Sequence, residues 1–386
     1  MKIIQVSTIG FADPRFYRSN EFVLCKSLAR LGHDVTLFSS DRHPKWQIPE
    51  ERKASKRVEE LEGFMIKRFP AGMELGVVPL MPTLLKELFA SECDLVHAHT
   101  ILAPSSFYSA LYSRVGGKPF VVTQHDYLYG AVHGTKLFVH MVNNNTFGRL
   151  TMKVANVVIG LSSAAAKFAE KFGAAPSRTH VIPSSVDTSL FRPHQGNLLK
   201  EKWGIRGKVI LFVGKLMRDK APWAILQAFR EVEKRVPDAK LVILGKGPEE
   251  SRLRALKQRL QLKNVHFIPR IPREDMPQIY PGADLLVLPS LFEPFGNVVL
   301  EALASGLPVV GSKIGGMADV IINGQTGFHI APGSAQELAK YTLLMLEDEG
   351  LRKKMGVAAR MDAVERLDDL VVTRRVENLY LQSIKR

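Results

Sequence analysis

The feature that most constrains this chain is the regular return of short apolar runs, each closed by a polar or glycine-containing turn and followed by a helix-length stretch. Residues 2–8, 33–38, 94–99, 118–126, 155–160 and 179–183 read as one series of strands. A second series starts afresh at 208–214 and continues through 240–247, 264–268, 284–288 and 308–310. Between the first two runs, residues 21–31 carry Phe22, Leu24, Leu28 and Leu31 at helical spacing, and Gly32 ends the pattern. Strands alternating with helices imply parallel, doubly wound sheets, whose ligands sit at the carboxyl ends of strands. At 386 residues the chain exceeds what one core supports, so two α/β domains are expected.

Composition excludes several classes. Two cysteines, Cys25 and Cys93, make neither a disulfide framework nor a metal-ligand cluster, and they read as buried thiols of a reducing compartment. The apolar run at Met1 is too short for a signal peptide, and no run approaches the roughly 18 residues of a membrane span. A cytoplasmic protein is the expectation. The net charge of +15 is shared, +7 over residues 1–193 and +8 over the rest. That spread argues against a nucleic-acid arm and suits anionic small molecules, or a peripheral contact with an anionic membrane surface. Residues 41–60, polar and basic at Arg52, Lys53, Lys56 and Arg57 beside Trp46 and Ile48, read as a loop with a short helix. They are the stretch to which such a membrane contact would fall.

The chemistry concentrates in residues 290–316. After the strand at 284–288 come Glu293, the loop Pro294, Phe295, Gly296 and Asn297, a helical run from Val298 to Ala304, and a new strand at Pro308. Strand, glycine loop and helix N-terminus present backbone N–H groups to an anion. Glu293 lies before the helix and Glu301 eight positions on, within it. A phosphate held at Gly296 to Val298 would lie between them, with one carboxylate facing each end of a diphosphate ester. Taken alone, the pair reads as a dipole-favoured loop carboxylate and a solvated helix residue.

The full pattern, E-P-F-G-x-x-x-x-E-A-x-A-x-G-x-P-V-V, resembles the retaining glycosyltransferases of family four. The resemblance implies the GT-B fold: two facing Rossmann-like domains with a nucleotide-sugar cleft between them, the N-terminal one spanning about 1–190 and completed by a helix at about 367–386, the C-terminal one spanning 191–366. It implies that Glu293 contacts the donor sugar and Glu301 the nucleotide ribose. Residues 184–193 resemble the interdomain linker of that family, with Ser185 where a glycine is usual.

Three further segments bear on the site. The loop Gly214 to Lys220 follows a strand and carries Lys215 and Lys220, cations suited to a leaving diphosphate; the family more often has Arg at the first position and Gly at Ala221. His125 matches the histidine of the family's T-x-H-D segment, which touches the donor sugar near its reacting carbon. His97 and His99 match its D-x-V-H-x-H segment; a His-x-His metal pair is the alternative, but it lacks a third ligand nearby in sequence. The catalytic set is therefore His125, Glu293, Lys215 and Lys220. The donor-binding set is Gly10, Gly245, Arg270, Ile271, Phe295, Gly296, Asn297, Val298 and Glu301. Gly10 is the single glycine of a first loop where the family usually has two.

The function implied is transfer of a hexose from a nucleoside diphosphate sugar, UDP- or GDP-linked, to an acceptor hydroxyl, with retention and without a metal. The acceptor would be a sugar, a lipid-linked or a small anionic molecule. The absence of any Asp-x-Asp fits lysines and a helix dipole replacing a divalent ion. The alternatives are a nucleotide-sugar epimerase or hydrolase of the same fold, and a non-catalytic nucleotide-sugar-binding protein.

Overall fold

In the computed structural model, which describes residues 1–8, 19–42, 56–71, 73–75, 78–100, 103–125, 141–194 and 196–385, the apolar runs assemble into two separate sheets. The chain divides into two compact units, Met1–Ser184 with Asp369–Arg386, and Ser185–Asp368.

The first unit holds β1 (Lys2–Val6), β2 (Asp34–Ser40), β3 (Val58–Leu61), β4 (Phe64–Phe69), a small hairpin of β5 (Met73–Leu75) and β6 (Val78–Leu80), then β7 (Leu95–His99), β8 (Phe120–Gln124), β9 (Val157–Gly160) and β10 (Thr179–Val181). Its eight-stranded sheet runs β10-β9-β8-β7-β1-β2-β4-β3, parallel except for β3, which pairs antiparallel with β4. Side chains alternate between two cores, as strand geometry requires. Ile4, Val6, Val96, Ala98 and Val122 pack on one face with Leu84 and Leu88. Ile3, Leu95 and Val121 pack on the other with Phe22 and Leu28 of the helix Asn20–Arg30, and with Val372, Val376 and Tyr380 of the helix Asp369–Ile384. The last helix of the chain thus covers the sheet formed by its first strands.

The second unit holds β11 (Lys208–Val213), β12 (Ala239–Leu244), β13 (Val265–Ile268), β14 (Leu285–Leu288), β15 (Val309–Ser312) and β16 (Gly327–Ile330). They form one parallel sheet in the order β13-β12-β11-β14-β15-β16. The strand order reverses beside β11, whose neighbours are β12 and β14. That reversal opens a crevice at the carboxyl ends of these strands.

Several local expectations change. The short helix read within 41–60 is not what its described end forms: Val58–Leu61 is an edge strand, because Glu59 and Glu60 pair across to Ile66 and Met65 and this tertiary pairing overrides weak local preference. Both β4 and β16, unread in the sequence, complete their sheets. Asn297, read as loop, begins the helix Asn297–Ala304. The helix Glu349–Asp362 runs on into a short π-helix, Ala363–Leu367. Trp46, Ile48, Arg52, Lys53 and Gly10 lie outside the described residues.

Close approach at the strand ends demands glycine. Gly245 adopts φ +147°, and a Cβ there would lie 1.9 Å from the Gly214 carbonyl oxygen, far inside contact distance. Gly245→Ala should therefore lower stability by about 1–3 kcal/mol. Gly116→Ala, where a Cβ meets only ordinary contacts at 3.7 Å and beyond, should change it by no more than about 0.5 kcal/mol. Denaturant unfolding of both variants checks the contrast.

Candidate active site

The carboxyl ends of the second sheet gather the residues singled out in 208–316. Backbone bonds continue past the strands: Gly214 N–H donates to Leu244 O (3.0 Å), Leu216 N–H to Lys246 O (3.0 Å) and Gly245 N–H to Ile268 O (2.9 Å). This carries Lys215, Gly245 and the Arg270–Ile271 turn to one rim. Desolvation and then the charges of Arg270 and Lys220 push the solvent-exposed Lys215 ammonium below its usual range. Arg270 and Lys220 thus lie near enough to Lys215 to disfavour its charge, Asp219 offsets part of that, and a bound anion would offset more.

Lys220, assigned to the leaving diphosphate by the sequence reading, and Glu293, assigned to the sugar, touch each other. Leu291 and Phe292 N–H groups donate to Asp219 O at 2.7 and 3.2 Å, so the lysine turn Arg218–Lys220 is sewn to the loop before the helix. Lys220 Nζ then donates to Glu293 Oε2 at 2.9 Å and to Phe292 O at 3.3 Å. Both side chains are largely withdrawn from water, 18% and 12% exposed.

Gly296 caps the helix Asn297–Ala304 at φ 88°, a left-handed geometry that glycine adopts freely. No side chain caps this N-terminus. Asn297 is exposed and Val298 half-buried, while Phe295 and Ile271 are buried. Glu301 is buried too, and its partners were not legible in the sequence. Tyr280 Oη donates to its Oε2 at 2.6 Å, and Arg273 lies 3.1 Å from its Oε1. Burial and the neighbouring carboxylate push the Tyr280 hydroxyl well up, so it stays a donor. Arg273 stacks over Phe191, whose ring meets Tyr280 edge-on. One hydrogen bond and one ion pair leave the carboxylate further lone pairs for a ligand. Ser290 and Ser312, at the ends of β14 and β15, carry buried hydroxyls without a hydrogen-bond partner.

The first sheet has its own polar end. Gln5, His97, His99 and Thr123 fall on the face whose earlier positions are apolar. Gln5 Nε2 donates to Tyr380 Oη at 3.0 Å, and His97 sits between Tyr380 Oη and Thr123 Oγ1. His99 Nε2 meets Gln5 Oε1 at 2.9 Å, and its Nδ1 meets His125 Nε2 at 3.1 Å. Burial drives the His99 imidazole down to about 3. Glu21, buried in the first turn of its helix, lies 3.8 Å from His125 Nε2. Burial works to raise its carboxyl, but His125, His99, a backbone hydrogen bond and the Ser19 hydroxyl together hold it below the usual range. Together Glu21, His99 and His125 bring three ligand atoms within 4.8 Å of one another. Of the His-x-His pair only His99 joins this group, and its two companions come from elsewhere in the chain.

A family model described as glycosyl transferases group 1 matches residues 197–362, and one described as glycosyltransferase family 4 matches residues 22–190. The chain belongs to glycosyltransferase family 4. Among its relatives, a D-inositol 3-phosphate glycosyltransferase from Corynebacterium aurimucosum is 30% identical over 56% of this chain. The match spans about half of that relative's length, 54%. A GDP-mannose-dependent alpha-(1-6)-phosphatidylinositol monomannoside mannosyltransferase from Mycolicibacterium smegmatis is 26% identical over 86% of each chain. Among solved structures, Anabaena HepE in complex with UDP superposes with a TM-score of 0.77 at 24% identity, covering 99% of this chain and 100% of that one. The likeness shows the GT-B fold. The family and the two parallel-sheet domains are those read from the sequence.

For this family 4 member the Lys220–Glu293 contact has a measurable consequence. Removing the lysine alone strands a buried carboxylate. Lys220→Met should cost about 1–3 kcal/mol, and adding Glu293→Gln should recover part of that loss. A double-mutant cycle by denaturant unfolding checks it.

Proposed function

We propose that the chain transfers a hexose from a nucleoside diphosphate sugar to an acceptor hydroxyl with retained anomeric configuration, independently of a metal ion. The observation that carries this reading is the Lys220–Glu293 pair at 2.9 Å, set beside the cations Lys215 and Arg270 and below an uncapped helix N-terminus. Cations and backbone N–H groups suit a diphosphate; a carboxylate already oriented by Lys220 suits sugar hydroxyls. In this reading Lys215, Lys220 and Arg270 neutralise the diphosphate, Glu301 holds the ribose, and Glu293 holds the sugar. His125 contacts the sugar near its reacting carbon, as the family resemblance implies.

The reaction is a front-face substitution. The acceptor oxygen bonds to the anomeric carbon as the bond from that carbon to the phosphate oxygen breaks, and that oxygen takes the acceptor's proton. A double displacement needs two carboxylates about 5–5.5 Å apart across the sugar. Glu301 is unsuited to that, being committed to Tyr280 and Arg273. UDP occupies HepE and the mycobacterial mannosyltransferase is named for GDP-mannose; UDP- and GDP-sugars are accordingly the donors to test first. An anionic or lipid-linked acceptor suits the net charge of +15. No helix among the described residues is long and apolar enough to cross a membrane.

Glu301→Ala should weaken binding of free nucleoside diphosphate and of donor alike, by roughly tenfold or more, the loss of about 1.4 kcal/mol. Glu293→Ala should leave nucleoside diphosphate binding nearly intact, since it frees Lys220 for phosphate, while turnover falls by at least about tenfold. Calorimetry and initial rates on the two variants separate these roles, and equal nucleotide affinity in wild type and Glu301→Ala removes the ribose assignment. Activity should also survive EDTA. Complete loss on chelation, restored by Mg²⁺ or Mn²⁺, would contradict a diphosphate neutralised by lysines and the helix dipole.

A further inference from the structure

We propose that Glu21, His99 and His125 form a binding site for a Zn²⁺-class ion, and that the ion switches the enzyme off by occupying His125. His97 is excluded as a ligand, because both its nitrogens are engaged, by Tyr380 and Thr123. His99 differs. The Gln5 amide donates to Tyr380 from its nitrogen, so the oxygen it turns to His99 Nε2, 2.9 Å away, accepts. His99 therefore carries its proton on Nε2, and the neutral ring presents the bare lone pair of Nδ1 to His125. A ligand histidine held through its other N–H by an oxygen acceptor is the usual outer shell of a metal site.

The spacing fits one ion. Ligands 2.0–2.1 Å from a tetrahedral Zn²⁺ stand about 3.3 Å apart. His99 Nδ1 and His125 Nε2 are 3.1 Å apart, His125 Nε2 and Glu21 Oε1 are 3.8 Å apart, and all three ligand atoms lie within 4.8 Å. Two imidazoles and one carboxylate select Zn²⁺ or Co²⁺ over Mg²⁺ and Ca²⁺, which want oxygen ligands. His125, 22% exposed, gives the ion its way in and leaves a fourth position for water. Without the ion, His125 Nε2–H donates to His99 Nδ1. With it, that proton moves to His125 Nδ1, and both rings bind as neutral ligands.

The inhibitory half rests on the reading of His125 as a sugar-contacting residue; the binding half does not. Chelator-treated protein is titrated with Co²⁺, following the visible bands of tetrahedral cobalt, and the ion is then displaced by Zn²⁺. One tight ion per chain is expected in wild type and in His266→Ala, a histidine of the second unit. Affinity should fall at least about tenfold in His125→Ala and in Glu21→Gln, which keeps the side-chain shape if the alanine variant fails to fold. Absence of the bands, or equal affinity in wild type and Glu21→Gln, overturns the site. In the activity arm, Zn²⁺ should slow transfer and EDTA restore it. An ion that binds at these residues while transfer proceeds unchanged overturns the inhibition and the sugar-contacting role of His125, and leaves the site standing.

Discussion

A parallel sheet buried on both faces confines polar chemistry to the ends of its strands, and the rest of this structure depends on that constraint. In the second unit β11 and β12 are apolar once past Lys208 and Lys240 near their starts, β14 is apolar throughout, and charge returns beyond their carboxyl ends at Lys215, Lys246 and Glu293. In the first unit the same constraint acts on one face of β1, β7 and β8. Ile3, Leu95 and Val121 give way to Gln5, His97, His99 and Thr123 within each strand's last residues. Strand ends are also where neighbouring backbones converge, which is why Gly245 must lie flat against the Gly214 carbonyl.

Polar groups brought to such ends are partly buried and must be satisfied there. The two glutamates of the motif solve this differently. Glu293 takes a lysine that the sequence assigns to phosphate, so ligand binding can exchange one partner of Lys220 for another. Glu301 takes Tyr280 and Arg273, partners that also pack with Phe191, and is held by a fixed cluster. The contrast matches an adaptable sugar contact and a rigid nucleotide contact, the two roles proposed for them.

The first unit shows how a chain's last helix can reach its polar end. Tyr380 bonds Gln5 and His97, and Gln5 in turn fixes the proton of His99. A residue 375 positions from Gln5 thus sets which nitrogen His99 offers to His125.

The sequence by itself determined the α/β class, the two series of strands, the family, and the placing of Glu293, Gly296 and Glu301 around one helix N-terminus. These are local facts: strand period, helix period and a motif of fixed spacing all act within a few residues. Tertiary structure alone decided that Val58–Leu61 is a strand, since only β4 makes it one. It also decided that Lys220 meets Glu293, 73 positions away, and that Tyr280 meets Glu301. The grouping of Glu21 with His99 and His125 belongs there too, because it joins a helix to the ends of two strands. Such pairings arise when the chain folds back and buried polar groups find partners, and no period along the chain encodes them.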